Sequence, residues 1–463
     1  MGTIIVLLSR RFLRKNDPID YFIASHNLSG FVSALTYAAT TYSAFMMIGL
    51  VGLAYATGIG ALGFELAYLT ATLILLSFVG PKLWSKSRIR RYVSPSEYLS
   101  ERYGSRIIGA LATVVMLIAL VPYASIQIIG PSLILERTSG GVITYSIAIL
   151  VTLALSITWS VIGGLRGVAW TDAFQGILML SSACLIVLWV LSWAGISISH
   201  LISIQHEVTR FPNSFWSPTV FIAYTIPWMF FALSNPQVVQ RIFIPKDGKA
   251  YRSMVLGFAV FGFIYTILTT ILGLLLRGAS ELGLFVKIDV SKRSNWNLVT
   301  PLLLSLPQIP TIISVIVGIS ILAAAVTTID SIALTLGSMI SRDVYLHLTR
   351  NVSGEVLVGK IIVILICLLA SLFAYLKPGF IVDLAVTSST ILLPFAILFI
   401  GGTLTKIGKK WCALTTISVS ILVIPLLMLK AITSPIPLSV IVLLLSLTTY
   451  CIIGLIEYKL LEH

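Results

Sequence analysis

Apolar residues come in blocks of about twenty or more along this chain, separated by short polar connections. Since about 20 apolar residues in a helix cover the hydrocarbon of a bilayer, the pattern predicts twelve spans, near 31–56, 63–84, 106–134, 142–162, 168–195, 217–240, 253–276, 311–341, 357–376, 379–401, 411–430 and 435–457. An earlier apolar stretch, 3–9, is too short to cross and runs straight into RRFLRK. It lacks the charged start and cleavage site of a signal peptide. It reads either as the tail of a further helix or as an interfacial anchor. The longest polar connections, 82–103, 200–217 and 277–297, leave no room for a soluble domain, so any chemistry lies within the helices.

Composition agrees with the pattern. Of 463 residues 57% are hydrophobic and 10% charged, with a mean hydropathy of +1.02, against roughly 25% charge in a soluble domain. Cys184, Cys367, Cys412 and Cys451 stand singly, without the spacing of a disulfide framework or a zinc site. His26, His200, His206, His347 and His463 all fall outside the middle of a span, which argues against haem or copper. One near match to a phosphate loop, GEVLVGKI at 354–361, has Ile361 where a magnesium-holding hydroxyl is required and opens an apolar helix.

Lysine and arginine divide unevenly between the two sides. The side carrying RRFLRK, KLWSKSRIRR, RIFIPKDGKAYR and KIGKK holds 23 of the 31 and is expected to be cytoplasmic, the C-terminus with it. Topology and anionic lipid account for the net charge of +14. No nucleic-acid partner and no obligatory protein partner are expected.

The acidic residues of the spans are Glu65, Asp172, Asp330 and Asp383. Glu65 and Asp383 lie close to span ends, where a carboxylate reaches interfacial water. Asp172 and Asp330 are deeper, and a carboxylate there marks a functional site by default. Asp330 belongs to AAAVTTIDS, 323–331. Helical spacing puts Thr327, Thr328, Asp330 and Ser331 on one broad face. Hydroxyl and carbonyl oxygens without histidine or thiol suit a hard cation, sodium first. The competing reading has each threonine bonding back to the carbonyl one turn earlier.

Two spans carry signs of interruption. The first contains AATTYSAF followed by GLVGLAYATG, and its glycines predict a break toward the outer end. The sixth contains IPWMFFALSNPQ, with Pro227, Asn235 and Pro236. Broken helices are tolerated at membrane depth where their freed carbonyls line a cavity or hold an ion. Spans one and six stand five helices apart, as in two inverted repeats with a binding site between them.

These motifs resemble the sodium:solute symporter family, which includes bacterial proline and pantothenate carriers and animal sodium–glucose carriers. DYFIASHNLSG (20–30), SAFMMIGLVGLAYATG (43–58), SPSEYLSERYG (94–104), GGLRGVAWTDAFQG (163–176), NPQVVQR (235–241) and AAAVTTIDSIAL followed by SRDVY carry the resemblance over nearly the whole chain. It implies an all-α, leucine-transporter-type membrane protein. Residues 31–401 would form two inverted five-helix repeats, 31–195 and 217–401, after a pre-helix segment 1–30 and before two peripheral helices in 402–463. Many members begin with an extra span, of which the stretch 3–9 would be the remnant.

The resemblance further implies a co-transported sodium held by the carbonyls of Ala39, Tyr42 and Ala324 and the hydroxyls of Thr327 and Thr328. It places a second cation or proton site at Asp172, Asp330 and Ser331, where Asp330 stands in place of the serine of several relatives. The implied solute pocket comprises Ser43, Phe45, Met46, Tyr123, Gln127, Trp228 and Phe231. Phe45 and Met46 replace the polar residues of the sugar carriers, so an amino acid or a monocarboxylate is expected before a sugar. The expected function is sodium-coupled symport in the cell membrane, without covalent chemistry. Proton coupling through Asp172 or Asp330 is the alternative, ahead of a channel or a membrane sensor.

Overall fold

A computed structural model describes residues 2–4, 17–195, 208–376, 379–428 and 435–462. The expected anchor at 3–9 therefore lies outside the described residues from residue 5 onward. The described chain is helical, with one isolated bridge pairing Leu28 with Pro245. A short helix α1 (Pro18–Ile23), capped by the Asp17 side chain, leads into α2 (Gly30–Thr41), whose first turn is closed by Ser29 Oγ accepting from the Val32 N–H. There follow α3 (Phe45–Thr57), α4 (Gly60–Phe78), α5 (Gly80–Arg90), α6 (Pro95–Arg102), α7 (Arg106–Thr138) and α8 (Tyr145–Ala194). The second half comprises α9 (Pro218–Met229), α10 (Phe231–Ser234), α11 (Pro236–Phe243), α12 (Gly248–Glu281), α13 (Thr311–Ile340), α14 (Glu355–Tyr375), α15 (Ile381–Leu404), α16 (Lys410–Met428) and α17 (Leu438–Glu462).

Among the described residues eight helices are each long and apolar enough to cross a membrane, and the bent pair α2–α3 adds a ninth. The expected spans 142–162 and 168–195 merge into α8. Its 50 residues would reach on the order of 75 Å if straight, against a hydrocarbon core about 30 Å thick. Gly164, at φ 52° and ψ −166°, breaks the run and separates the two expected segments. A Cβ there would stand 2.8 Å from the Tyr21 carbonyl oxygen, so both the conformation and the close approach require glycine. The expected span 217–240 is divided among α9, α10 and α11, none long enough to cross alone.

The break in the first span is not at its glycines. α2 ends at Thr41, Tyr42 leaves the helical region at φ −92° and ψ 79°, and the chain resumes after Ser43 with a bend of 48°. The next turn, Phe45–Leu50, is wound as a π-helix, a local irregularity that often accompanies functional sites. The downstream glycines serve packing. At Gly52 a Cβ would meet the Trp296 carbonyl oxygen at 2.1 Å. That carbonyl belongs to the connection after α12, which packs against the middle of α3. In the sixth span the interruption falls where the prolines predict, with Phe230 leaving the helix and Asn235 extended ahead of Pro236.

α13 is the centre of the bundle. Every residue from Ala323 to Met339 is buried, and the helix packs on α7, α8, α14 and α2. AAAVTTIDS accordingly faces protein on all sides, so its polar groups contact other helices and not lipid.

Candidate functional site

The stretch where α2 ends meets the middle of α13. Thr327 Oγ1 and Thr328 Oγ1 each lie 3.2 Å from the Ala39 carbonyl oxygen, and they approach the Ala324 carbonyl oxygen at 2.9 and 3.2 Å. Both readings of the threonines thus hold in part. Each hydroxyl bonds back within α13, and each also crosses to the broken helix. Two carbonyl and two hydroxyl oxygens converge on a dry point, with Ala39 0% and Thr328 0% exposed. Tyr42 closes α2 above them, and its ring stacks on Phe258 at a centroid distance of 5.5 Å. Of the five residues expected at a sodium site, Ala39, Ala324, Thr327 and Thr328 meet at this junction, and Tyr42 caps the end of α2 beside it.

A turn further along α13 a second cluster forms, with a member the sequence reading missed. Arg241 was expected in a cytoplasmic loop. It is 0% exposed, on α11 inside the bundle. Its Nη2 donates to Ser331 Oγ at 2.5 Å and lies 3.9 Å from Asp172 Oδ2, while its Nε donates to Thr36 Oγ1 at 3.2 Å. Thr36 in turn donates to Asp172 Oδ2 at 2.5 Å, and Thr40 and Ser331 share a hydrogen bond of 2.9 Å. Asp172 and Ser331 do meet, then, but around a guanidinium. The signal was present in NPQVVQR, where Gln237, Gln240 and Arg241 fall at helical spacing on one face. Gln240 is bound to the Val93 carbonyl and the Thr335 hydroxyl.

Asp330 lies beside that cluster, with Asp172 and Arg241 in electrostatic range, but makes no hydrogen bond to it among the described residues. Thr327, Ser331 and Thr328 occupy an arc of about 100° on α13, and a helix turning about 100° per residue puts Asp330 roughly a sixth of a turn outside it. The carboxylate is turned toward Ser160 of α8, with Tyr21 and Cys367 also within electrostatic range. Neither oxygen has a hydrogen-bond partner among the described residues, though the group is 1% exposed. The broad polar face expected on α13 spans about 160°, with Asp330 at its edge.

The expected pocket residues are all buried: Ser43, Met46 and Gln127 at 0%, Tyr123 and Phe231 at 1%, Phe45 at 2% and Trp228 at 4%. The Trp228 ring is 5.0 Å from Phe45 and 5.1 Å from Phe231, and Tyr123 faces Phe231 at 6.0 Å. Gln127 has neither end of its amide hydrogen-bonded among the described residues.

Glu65 belongs here too, against expectation. It is 1% exposed, far from interfacial water, beside the Trp228 indole and near Tyr42, Tyr68 and Tyr123, with Oε2 lacking a partner among the described residues. Distance from a span end, counted in residues, misplaced it. The stripe Glu65, Tyr68, Thr72 on α4 could have found it. Asp383, by contrast, lies where expected, in the first turn of α15, paired with Arg293 at 3.1 Å and accepting from the Tyr224 hydroxyl at 2.6 Å.

The chain matches a known family model, that of the sodium:solute symporter family, over residues 21–402. The chain belongs to the sodium:solute symporter family. Among curated relatives, it is 26% identical over 333 residues to the sodium/pantothenate symporter of Haemophilus influenzae, covering 71% of this chain and 66% of that protein. To the Escherichia coli sodium/pantothenate symporter it is 28% identical over 244 residues, 51% of this chain and 50% of that one. The chain thus spans about half to two thirds of the length of these relatives.

Among solved structures, a sodium-coupled sialic acid symporter in a substrate-bound outward-open state superposes with a TM-score of 0.82 at 20% identity, over 99% of this chain and 96% of that one. A nucleobase-cation-symport-1 family transporter superposes with a TM-score of 0.59 at 15% identity, over 93% and 92%. These likenesses show the fold. The family member described here is an all-helical, multi-pass membrane protein of the leucine-transporter type.

Proposed function

We propose that this family member is a sodium-coupled symporter of a small organic solute, working by alternating access in the cell membrane with its basic face and C-terminus cytoplasmic. The observation that carries the reading is the convergence of the Ala39 and Ala324 carbonyls with the Thr327 and Thr328 hydroxyls where α2 ends. Sodium is a cargo that would link α2 to α13 there, with Tyr42 completing the turn. Linking them organises the adjoining pocket and raises solute affinity, and the solute raises sodium affinity by the same factor. Rocking of one helix group against the other then opens the site to the opposite side.

Glu65 refines the solute. A carboxylate among Trp228, Tyr68 and Tyr42 favours an ammonium group, which gains from both the charge and the ring faces. An amino acid or a related amine fits that pocket better than a plain monocarboxylate, and Gln127 supplies a donor and an acceptor for its polar end. At the second cluster Arg241 already supplies the positive charge facing Asp172.

Proton coupling is a second reading, and its support is Asp330, buried and without hydrogen-bond partners among the described residues. Uptake into proteoliposomes under separately imposed sodium and proton gradients distinguishes the two. The sodium reading expects T327A/T328A to lose sodium-stimulated uptake while folding normally. Unchanged uptake with unchanged sodium dependence would overturn it.

A further inference from the structure

At the basic face, α5, α6 and the end of α15 enclose a cavity of ≈ 640 Å³. Lys86, Arg90, Arg102, Lys406 and Lys409 line it against one carboxylate, Glu101, which Arg90 Nε engages at 2.9 Å. Arg102 spends its donors on the carbonyls of Gly402, Thr405, Ile407 and Gly408, at 2.7 to 3.1 Å. That closes the C-terminal end of α15, where unpaired carbonyls carry partial negative charge. Carbonyls are neutral groups, however, and leave the guanidinium's unit charge uncancelled. Lys86 Nζ stands 5.6 Å over the Tyr98 ring. Among the described residues no carboxylate forms a salt bridge with Lys86, Lys406 or Lys409. Glu457, which approaches from α17, is taken up by the backbone N–H groups of Lys409, Trp411 and Cys412.

Burial, and then the neighbouring Arg102, hold the Lys86 ammonium below its ordinary range, with Glu101 opposing. The cavity thus concentrates positive charge that the chain itself leaves unmatched. Its surroundings say how an anion would arrive. Ile89, which lines it, is 76% exposed, and Trp411, two residues beyond the lining Lys409, is 62% exposed at the start of the apolar helix α16, the place at which a tryptophan settles at headgroup level. Basic pockets between membrane helices on the cytoplasmic side suit acidic lipid headgroups. We propose that this cavity binds a phosphate-bearing anion, presented by the headgroup of an acidic phospholipid in the adjoining leaflet.

The test uses the full chain in neutral detergent, reading the thermal unfolding midpoint while titrating dioleoyl phosphatidylglycerol, dioleoyl phosphatidylcholine, glycerol 3-phosphate or inorganic phosphate. Phosphatidylglycerol is expected to stabilise at lower concentration than phosphatidylcholine. K86A/K406A/K409A should raise the half-saturating phosphatidylglycerol concentration by about fivefold per lysine, on the order of a hundredfold in all, and K86R/K406R/K409R should restore it. If the soluble phosphates stabilise as strongly as the lipid, the phosphate site stands and the lipid source is overturned. An unchanged titration in the triple alanine variant overturns the site itself. So does an equal loss in K246A/K249A, which removes charge from the same face outside the cavity.

Discussion

A fully buried guanidinium carries a large desolvation cost, and the Arg241 pair geometry tells how it is met. The nearest carboxylate oxygen, on Asp172, is 3.9 Å away, longer than a charge-assisted hydrogen bond of about 2.7–2.9 Å. Ser331 and Thr36 fill the gap, each accepting from the guanidinium. Removing one partner of such a buried pair strands the other, at a cost of about 3–5 kcal/mol, whereas removing both is far milder. Asp172→Asn and Arg241→Gln should each therefore lower the thermal unfolding midpoint more than the double variant does. A double variant as damaged as the sum of the singles would show that the two charges act independently. The same reasoning explains why this residue escaped a reading by hydropathy. A lone arginine after an apolar run looks like the first residue of a basic loop, and only its place on one face with Gln237 and Gln240 says otherwise.

At the scale of elements, span positions were legible because apolar length is set by bilayer thickness, while the way helices break was legible only where proline announces it. Pro236 marks the start of α11. Nothing comparable marks Tyr42–Ala44, where the helix ends among ordinary residues because the α13 hydroxyls give the Ala39 carbonyl an alternative partner. Before α2, Ala24, Ser25 and His26 take consecutive left-handed conformations, with φ of 50, 56 and 52°, a turn that costs roughly 1–2 kcal/mol per residue. Contacts hold it in place. His26 Nδ1 lies 2.9 Å from the Phe243 carbonyl, and the His26 carbonyl accepts from Arg88 at 2.9 Å. Burial first, then Arg88 and Arg91, lower the His26 pKa, against the Phe243 carbonyl. A lowered imidazole pKa means that the unfolded chain takes up the proton first. Stability is thus intact above about pH 6.5 and falls as pH drops below it through the folded value. The unfolding midpoint should fall between pH 7.5 and 5.5, and His26→Gln should shrink that fall. An identical fall in the variant would assign the pH dependence elsewhere.

Across the whole molecule, the proposed sodium junction and the proposed solute pocket share the broken first helix. Ala39 and Tyr42 stand on one side of the break and Phe45 and Met46 on the other, so neither site can be ordered without biasing its neighbour. That shared element makes coupling a measurable quantity. A ligand that binds only the folded state stabilises it by an amount set by its concentration relative to Kd, about 2.7 kcal/mol at a hundredfold excess. A screen of amino acids, amines, carboxylates, nucleobases and urea, each in sodium and in potassium, should find one class whose stabilisation grows in sodium, by a coupling factor of about 5–150. Measured from the other side, that solute should lower the sodium concentration needed for half-stabilisation by the same factor. T327A/T328A should reduce both factors to one. Glu65→Gln should weaken an amine-bearing solute while sparing stabilisation by sodium alone, because Glu65 lies on the pocket side of the break. If Glu65→Gln removes the sodium effect as well, the two sites are one, and the division of labour along the first helix is wrong.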